Sequence, residues 1–288
     1  MRRQVFSLYT RLVRVVSGPA IAEFFLRSDV GREYSVGMRQ KLRIMRRIRR
    51  NVESIVGATS YHEHLLLATH LLSVPLSAEG CVVECGCFKG RSTATLSLLC
   101  SVTGRRLAVF DSFEGLPEVS ESDRVHITPT EDRYETYKKG DYTGRPAEVR
   151  GNVAKYGCLD QCEFHKGYFE DTLPSFGESV AFAFLDVDLH ASLKTCLLHL
   201  WPRVREGGML MTHEAKQLSF ASIFFDRVWW REALDCEAPG LIGAGTGLPA
   251  GISGSTGLGY AVKGPPQQIE SKGGLRAFCG DPTQRGIA

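Results

Sequence analysis

The sequence predicts an α/β fold, a doubly wound and mostly parallel sheet with helices on both faces, and three observations carry that prediction. Short, continuously apolar runs alternate with helical segments between residues 81 and 212, the pattern of strands buried on both faces. The first run leads into a glycine-spaced turn that opens a helix, and the second ends in an acid, Asp111. A sheet that binds a ligand at the carboxyl ends of its strands has both features.

The 288 residues, 43% hydrophobic and 23% charged, suffice for one catalytic domain with additions. The net charge of +3 hides an asymmetry: residues 1–50 hold 13 Arg and Lys against three acids, Glu23, Asp29 and Glu33. Residues 1–58 therefore read as a basic helical extension. Met38, Leu42, Met45 and Arg49 recur at helical spacing, which predicts a cationic helix laying one apolar stripe on its own domain or on a sister subunit, a route to a homo-oligomer. A basic leader also raises nucleic acid, an anionic membrane or an import signal. No aromatic-interleaved basic groove accompanies it, so no nucleic-acid partner is expected. No run reaches the roughly 18 apolar residues of a membrane span, and a cytoplasmic location is expected. Nine cysteines without an evident export signal read as free thiols. Cys81, Cys85 and Cys87 sit in an apolar run one residue short of a cluster spacing, so packing is expected there rather than ligation.

Along the chain, Leu65, Leu66, Ala68, Leu71 and Leu72 share one face of a helix that stops at Pro75. Strands follow at 81–85, 106–111, 162–167, 180–188 and 207–212, with helices near 91–100, 147–157 and 191–201. Beyond an aromatic helix at 224–234, a further strand, a glycine-rich passage (239–259) and a strand at 258–263 would close the sheet with an antiparallel edge. The passage lacks the Lys-Ser/Thr ending of a phosphate loop and reads as a permissive surface loop. Residues 118–146 are too long for a plain connection and read as a lid or acceptor-binding loop. The domain proper spans 59–263, and 264–288 reads as a flexible tail.

The sharpest motif is VVECGCFKGRSTATL (82–96): a strand carrying Glu84, then Gly86 and Gly90, then Ser92 opening a helix. Phe88 puts bulk where a dinucleotide fold would seat its phosphates, so the pattern favours a nucleoside without them. Asp111, 27 residues after Glu84, can accept both hydroxyls of a ribose.

These residues, together with FDSFEGLP (110–117), GDYTGRPAEVRGNVAKYG (140–157), KGYFEDTLP (166–174), LDVDLHASL (185–193) and WPRVREGGMLM (201–211), resemble the blocks of the macrocin O-methyltransferase (TylF-like) family of class I methyltransferases, in order and over roughly 80–263. The resemblance implies a seven-stranded sheet with a reversed last hairpin and S-adenosylmethionine as cofactor. It implies Glu84, Gly86, Phe88, Gly90 and Ser92 around the methionine end, Asp111 and Ser112 at the ribose, and Gly167, Tyr168 and Phe169 by the adenine. The expected activity is O-methylation of a small-molecule acceptor, a sugar or secondary-metabolite hydroxyl; the alternative is a catalytically silent S-adenosylmethionine-binding scaffold.

The family also places a divalent ion on an Asp after the fourth strand, matched by Asp186, and on an acidic pair after the fifth. Here that pair reads Thr212-His213-Glu214. Two readings stand: Asp186, His213 and Glu214 form a mixed nitrogen and oxygen site for Mg²⁺, Mn²⁺ or Fe²⁺, or the ion is gone and His213 is hydrogen-bonded in the cleft. Without a metal a side-chain base must act, and the candidates are His126, Lys138 and His213, beside Asp186.

Overall fold

A computed structural model describes residues 22–119, 123, 125–128, 131–135, 137–250 and 255–264. The expected flexible tail and the first part of the basic extension lie outside them. Helices α1 (Met38–Ser54) and α2 (Tyr61–Leu71) lead into the sheet. The start of α2 is set by a capping box, in which the Ser60 hydroxyl accepts from the Glu63 N–H while the Glu63 carboxylate accepts from the Ser60 N–H.

Strands β1 (Cys81–Cys85) and β2 (Leu107–Asp111) flank helix α3 (Arg91–Thr103). Within the expected lid, β3 (Val125–Thr128) and β4 (Glu131–Glu135) form an antiparallel hairpin. Next come α4 (Pro146–Tyr156), β5 (Cys162–Lys166) and the single turn α5 (Phe169–Thr172). They are followed by β6 (Val180–Leu185), α6 (His190–Leu200) and β7 (Val204–Thr212). The short α7 (Leu218–Ala221), α8 (Arg227–Leu234) and β8 (Gly259–Val262) complete the order.

The main sheet runs β5-β2-β1-β6-β7-β8, parallel except for β8, which pairs antiparallel with β7. Among the described residues it has six strands, not seven. The strand expected after α8 is reduced to one bridge, Ile242 to Tyr260, because the chain turns at once into positive-φ glycines from Gly240 to Gly247 that cannot hold an extended run. Chain order reverses between β1 and β6, which makes their carboxyl ends the switch point where such sheets bind ligands.

The central strands β1, β2 and β6 are buried at every position, whereas β5 is only half-buried. Val82, Val109 and Phe184 face one core with Ile44 and Ile48 of α1, Leu65 of α2 and Leu99 of α3. Val83, Phe110 and Leu185 face the other with Leu193 and Leu197 of α6 and Trp230 of α8. Helix α1 buries Lys41, Ile44, Ile48 and Asn51, one position away from the expected stripe, and leaves Met38 and Leu42 exposed. The two polar members of the buried face each find a partner for their nitrogen: the Lys41 ammonium donates to the Arg27 carbonyl and the Asn51 amide to the Thr95 hydroxyl, while the Asn51 Oδ1 is left without one. No helix of the described residues is long and apolar enough to cross a membrane.

Candidate active site

A cleft opens at the switch point, and most of the sequence-predicted residues line it: Gly86, Phe88, Ser92, Asp111, Ser112, Tyr168, Phe169, Asp186, His213 and Glu214. Gly86 must be glycine. Its φ is +84°, and a Cβ there would lie 2.0 Å from the Asp186 carbonyl oxygen. The turn after β1 is thus pressed against the end of β6, where the Asp186 N–H donates to the Cys85 carbonyl at 3.0 Å.

Asp111 braces the same turn. Its Oδ2 accepts from the N–H groups of Cys87 (2.7 Å) and Phe88 (3.3 Å), and its Oδ1 from that of Phe113 (2.6 Å). Oδ1 keeps a lone pair for a ligand hydroxyl. The Ser112 hydroxyl, which lines the cleft, also shapes its own turn by donating to the Gly115 carbonyl at 2.7 Å.

Glu84 lies beneath this floor, fully buried, and is absent from the cleft lining. Neither of its oxygens finds a hydrogen-bond partner of good geometry. Burial pushes its carboxyl up to about 8, with Ser92 and Thr93 beside it working in the opposite direction. Gly90 and Gly167 act through the backbone, Gly90 as the left-handed cap of α3 and Gly167 by donating to the Asp111 carbonyl at 3.1 Å.

Several lining residues carried no motif. Val56, Gly57, Ala58 and Thr59, between α1 and α2, form one wall. Arg91 holds it from the first residue of α3, its guanidinium donating to the carbonyls of Ile55 (2.6 Å) and Thr59 (2.7 Å). The fully buried His64 bridges the hydroxyls of Thr59 and Thr95, and burial lowers its pKa to about 3, so it stays neutral. Tyr137 and Tyr142, at the base of the expected lid, also line the cleft, with Tyr142 edge-on to Phe88 at 5.6 Å between centroids. Backbone bonds between Leu116 and the Gly140–Asp141 pair close that base. Lys138 is exposed and does not line the cleft. His126 falls in β3, and its side chain lies outside the described residues.

The expected metal trio is not assembled. The two ring nitrogens of His213 face two carboxylates, Nδ1 to Asp186 Oδ1 at 3.2 Å and Nε2 to Glu63 Oε1 at 3.1 Å. Glu214 is turned inward, with Oε1 accepting from the N–H groups of Val187 (2.8 Å) and Asp188 (3.2 Å) and Oε2 from the Thr212 hydroxyl. Ligation by this set would break those bonds, and no group of three His, Cys, Asp or Glu among the described residues is arranged to hold an ion. Burial works against charge on His213, but Asp186 and Glu63 outweigh it and raise its pKa well above the usual range. Burial likewise opposes ionisation of Glu63, yet His213 and the N–H groups of Ser60 and Gly257 hold its carboxyl down at about 2.

Asp188, missed by the sequence reading, also lines the cleft. It adopts a left-handed φ of +58°, a conformation uncommon outside glycine and frequent at functional positions. Burial, then the charges of Asp186 and Glu214, raise its pKa, and Tyr137 is its hydrogen-bonding neighbour.

A switch-point cleft with a glycine turn and an acid after the second strand defines a nucleoside-binding α/β domain of the Rossmann-like methyltransferase class. The macrocin-O-methyltransferase (TylF) family profile matches residues 73–234, and the chain belongs to that family. Among curated proteins it is similar to the 8-demethyl-8-(2,3-dimethoxy-alpha-L-rhamnosyl)-tetracenomycin-C 4'-O-methyltransferase of Streptomyces olivaceus, 36% identical over 137 residues, which are 46% of this chain and 51% of that one. It is also similar to the mycinamicin III 3''-O-methyltransferase of Micromonospora griseorubida, 34% identical over 110 residues, 37% of this chain and 42% of that one. The matched segments thus span about half the length of these relatives. Among solved structures the O-methyltransferase NovP shares the fold at a TM-score of 0.50 and 21% identity, over 90% of this chain and 99% of that one.

Proposed function

We propose that the protein is an S-adenosylmethionine-dependent O-methyltransferase acting on a hydroxyl of a sugar-bearing secondary metabolite. The observation that carries this reading is the cleft itself: Gly86 and Asp111 bring backbone and carboxylate to the switch point, and Asp186 and Asp188 stand beside them. The acceptor class rests on the relatives, one of which is named as the O-methyltransferase of a rhamnosyl-bearing tetracenomycin and another as that of mycinamicin III. Family membership and the two cleft-lining aspartates favour chemistry over a silent scaffold.

When bound, S-adenosylmethionine would supply an activated methyl group on a sulfonium. The chain's residues would do the rest. Asp111 would hold the ribose through its free lone pair, with Ser112 beside it. Tyr168 and Phe169 would flank the adenine. Asp111, Glu170 and Asp186 line the cleft beside Asp188 and Glu214, whose carboxyls burial pushes up, and would give a cationic donor carboxylates to approach.

The acceptor hydroxyl must lose a proton as its oxygen attacks. Asp188 is the group we place in that role, since it reaches the cleft and its raised pKa brings a carboxylate towards a useful basicity. His213, with both nitrogens facing carboxylates, has no lone pair to offer. The Asp186, His213 and Glu214 set does not fit a divalent ion as arranged, and no step is drawn through one. We place the enzyme in the cytoplasm, and Met38 and Leu42 on α1 support contact with a second copy.

Isothermal titration with S-adenosylhomocysteine tests the reading: we expect micromolar binding, weakened at least about 30-fold in Asp111→Ala, which removes the ribose clamp and the brace of the turn. Absence of binding by the unaltered protein would exclude it.

A further inference from the structure

The His213 ring is held by residues that the family profile does not reach. Glu63 belongs to α2 and Gly257 to the glycine-rich passage, and both lie outside residues 73–234. Glu63 Oε1 takes the Nε2 side of the ring at 3.1 Å and also accepts from the Gly257 N–H at 3.0 Å, while Oε2 accepts from the Ser60 N–H at 2.7 Å. Its carboxylate is therefore fixed by two backbone donors before it meets the ring, and only 7% of the residue is exposed. Gly257 also shapes the pocket for the imidazole, since a Cβ there would come within 3.0 Å of its Cδ2 and Nε2. On the far side Asp186 Oδ1 closes on Nδ1 at 3.2 Å.

A ring nitrogen facing a carboxylate oxygen at hydrogen-bond distance must donate, because a carboxylate has only lone pairs to give. Nε2 meets Glu63 in a hydrogen bond and Nδ1 meets Asp186 at ion-pair distance, an arrangement that favours the imidazolium. We infer that Glu63 is a positioning residue of the transfer site: with Asp186 it clamps His213 from both sides, so that a side-chain cation, rather than a divalent ion, sits against Asp186. The place assigned to this cation rests on the methyltransferase reading; the clamp rests on the geometry alone. Its effect is to pin Asp186 at the switch point and to set one positive charge among the acids of the cleft without recruiting an ion from solution.

Two measurements on the full-length protein test this, and neither needs the acceptor. In the first, Mn²⁺ is titrated into protein with and without S-adenosylhomocysteine and free Mn²⁺ is read by electron paramagnetic resonance. The unaltered protein is expected to retain none, whereas His213→Asp, which removes the ring and adds an oxygen donor, is expected to retain about one Mn²⁺ per chain, lost again on Asp186→Asn. Stoichiometric retention by the unaltered protein, abolished by Asp186→Asn, would overturn the inference.

In the second, ring nitrogens are observed by ¹⁵N NMR at neutral pH. His213 is expected to show both nitrogens protonated, and Glu63→Gln to return one to the unprotonated range, in a variant that stays folded because Gln also completes a capping box but melts at a lower temperature because its amide NH₂ faces the Gly257 N–H. A His213 spectrum unchanged in Glu63→Gln would refute the positioning role. Binding of S-adenosylhomocysteine by the unaltered protein is measured alongside. If the unaltered protein binds none, the methyltransferase reading fails while the clamp is still judged by the NMR.

Discussion

Glu63 and Glu84 are two buried glutamates driven in opposite directions by what surrounds them. Glu63 has a cationic ring and two backbone donors and is held at about 2; Glu84 has burial and little else and is pushed up to about 8. A carboxyl whose folded pKa is raised holds a proton that the unfolded chain has already lost, so the folded state binds more protons between the ordinary glutamate value of 4.5 and about 8. Stability therefore falls as pH rises through that window and levels off above it. We expect the urea midpoint to decline from about pH 5 to above pH 8, and Glu84→Gln to flatten that decline at a cost within about 1 kcal/mol near pH 5, where the glutamate is already neutral. Asp188→Asn is expected to lower kcat by about 100-fold or more while S-adenosylhomocysteine binds as before, because general-base catalysis is worth about that factor. Unimpaired turnover in that variant would remove Asp188 from the mechanism.

At the scale of elements, the glycine turn after β1 is the most demanding piece. Gly86→Ala combines a left-handed backbone with a Cβ 2.0 Å from the Asp186 carbonyl. A loss of about 2–4 kcal/mol in urea unfolding is expected, with cofactor binding weakened by the displaced turn. This turn was legible in the sequence, as were the five parallel strands, because burial on both faces leaves continuous apolar runs and a positive-φ turn leaves glycine. Other features were not. The stripe on α1 was misplaced by one position because Lys41 and Asn51 sit on the buried face, and whether a polar side chain finds a partner depends on Arg27 and Thr95, which periodicity cannot see. The strand after α8 was expected from apolar residues, and the glycines that follow it cut it to a bridge. Asp186 and His213 were singled out, but Glu63 was not: it reads as an ordinary capping residue until the fold brings it to a ring 150 positions away. Asp188 was passed over because the role proposed for it depends on a backbone conformation rather than on residue type.

Across the whole molecule, helix α1 of the basic extension is part of the central packing. Ile48 is fully buried and shares a core with Val82 and Phe184 of the sheet. Ile48→Ala is expected to cost about 2–5 kcal/mol and to lower the single thermal transition of the entire protein. A separate early transition would show instead that α1 melts as an appendage. The arrangement around His213 has a further consequence for anyone recombining this protein with its relatives. The matched stretch, residues 73–234, suggests natural cut points for a chimera. A swap at those points would graft a foreign ring or acid opposite this chain's Glu63 and Gly257, or strand this chain's ring among foreign neighbours. Grafts that carry 60–63, 213 and 257 together would transplant a matched set, and those that divide them would inherit a mismatched charge at the centre of the molecule.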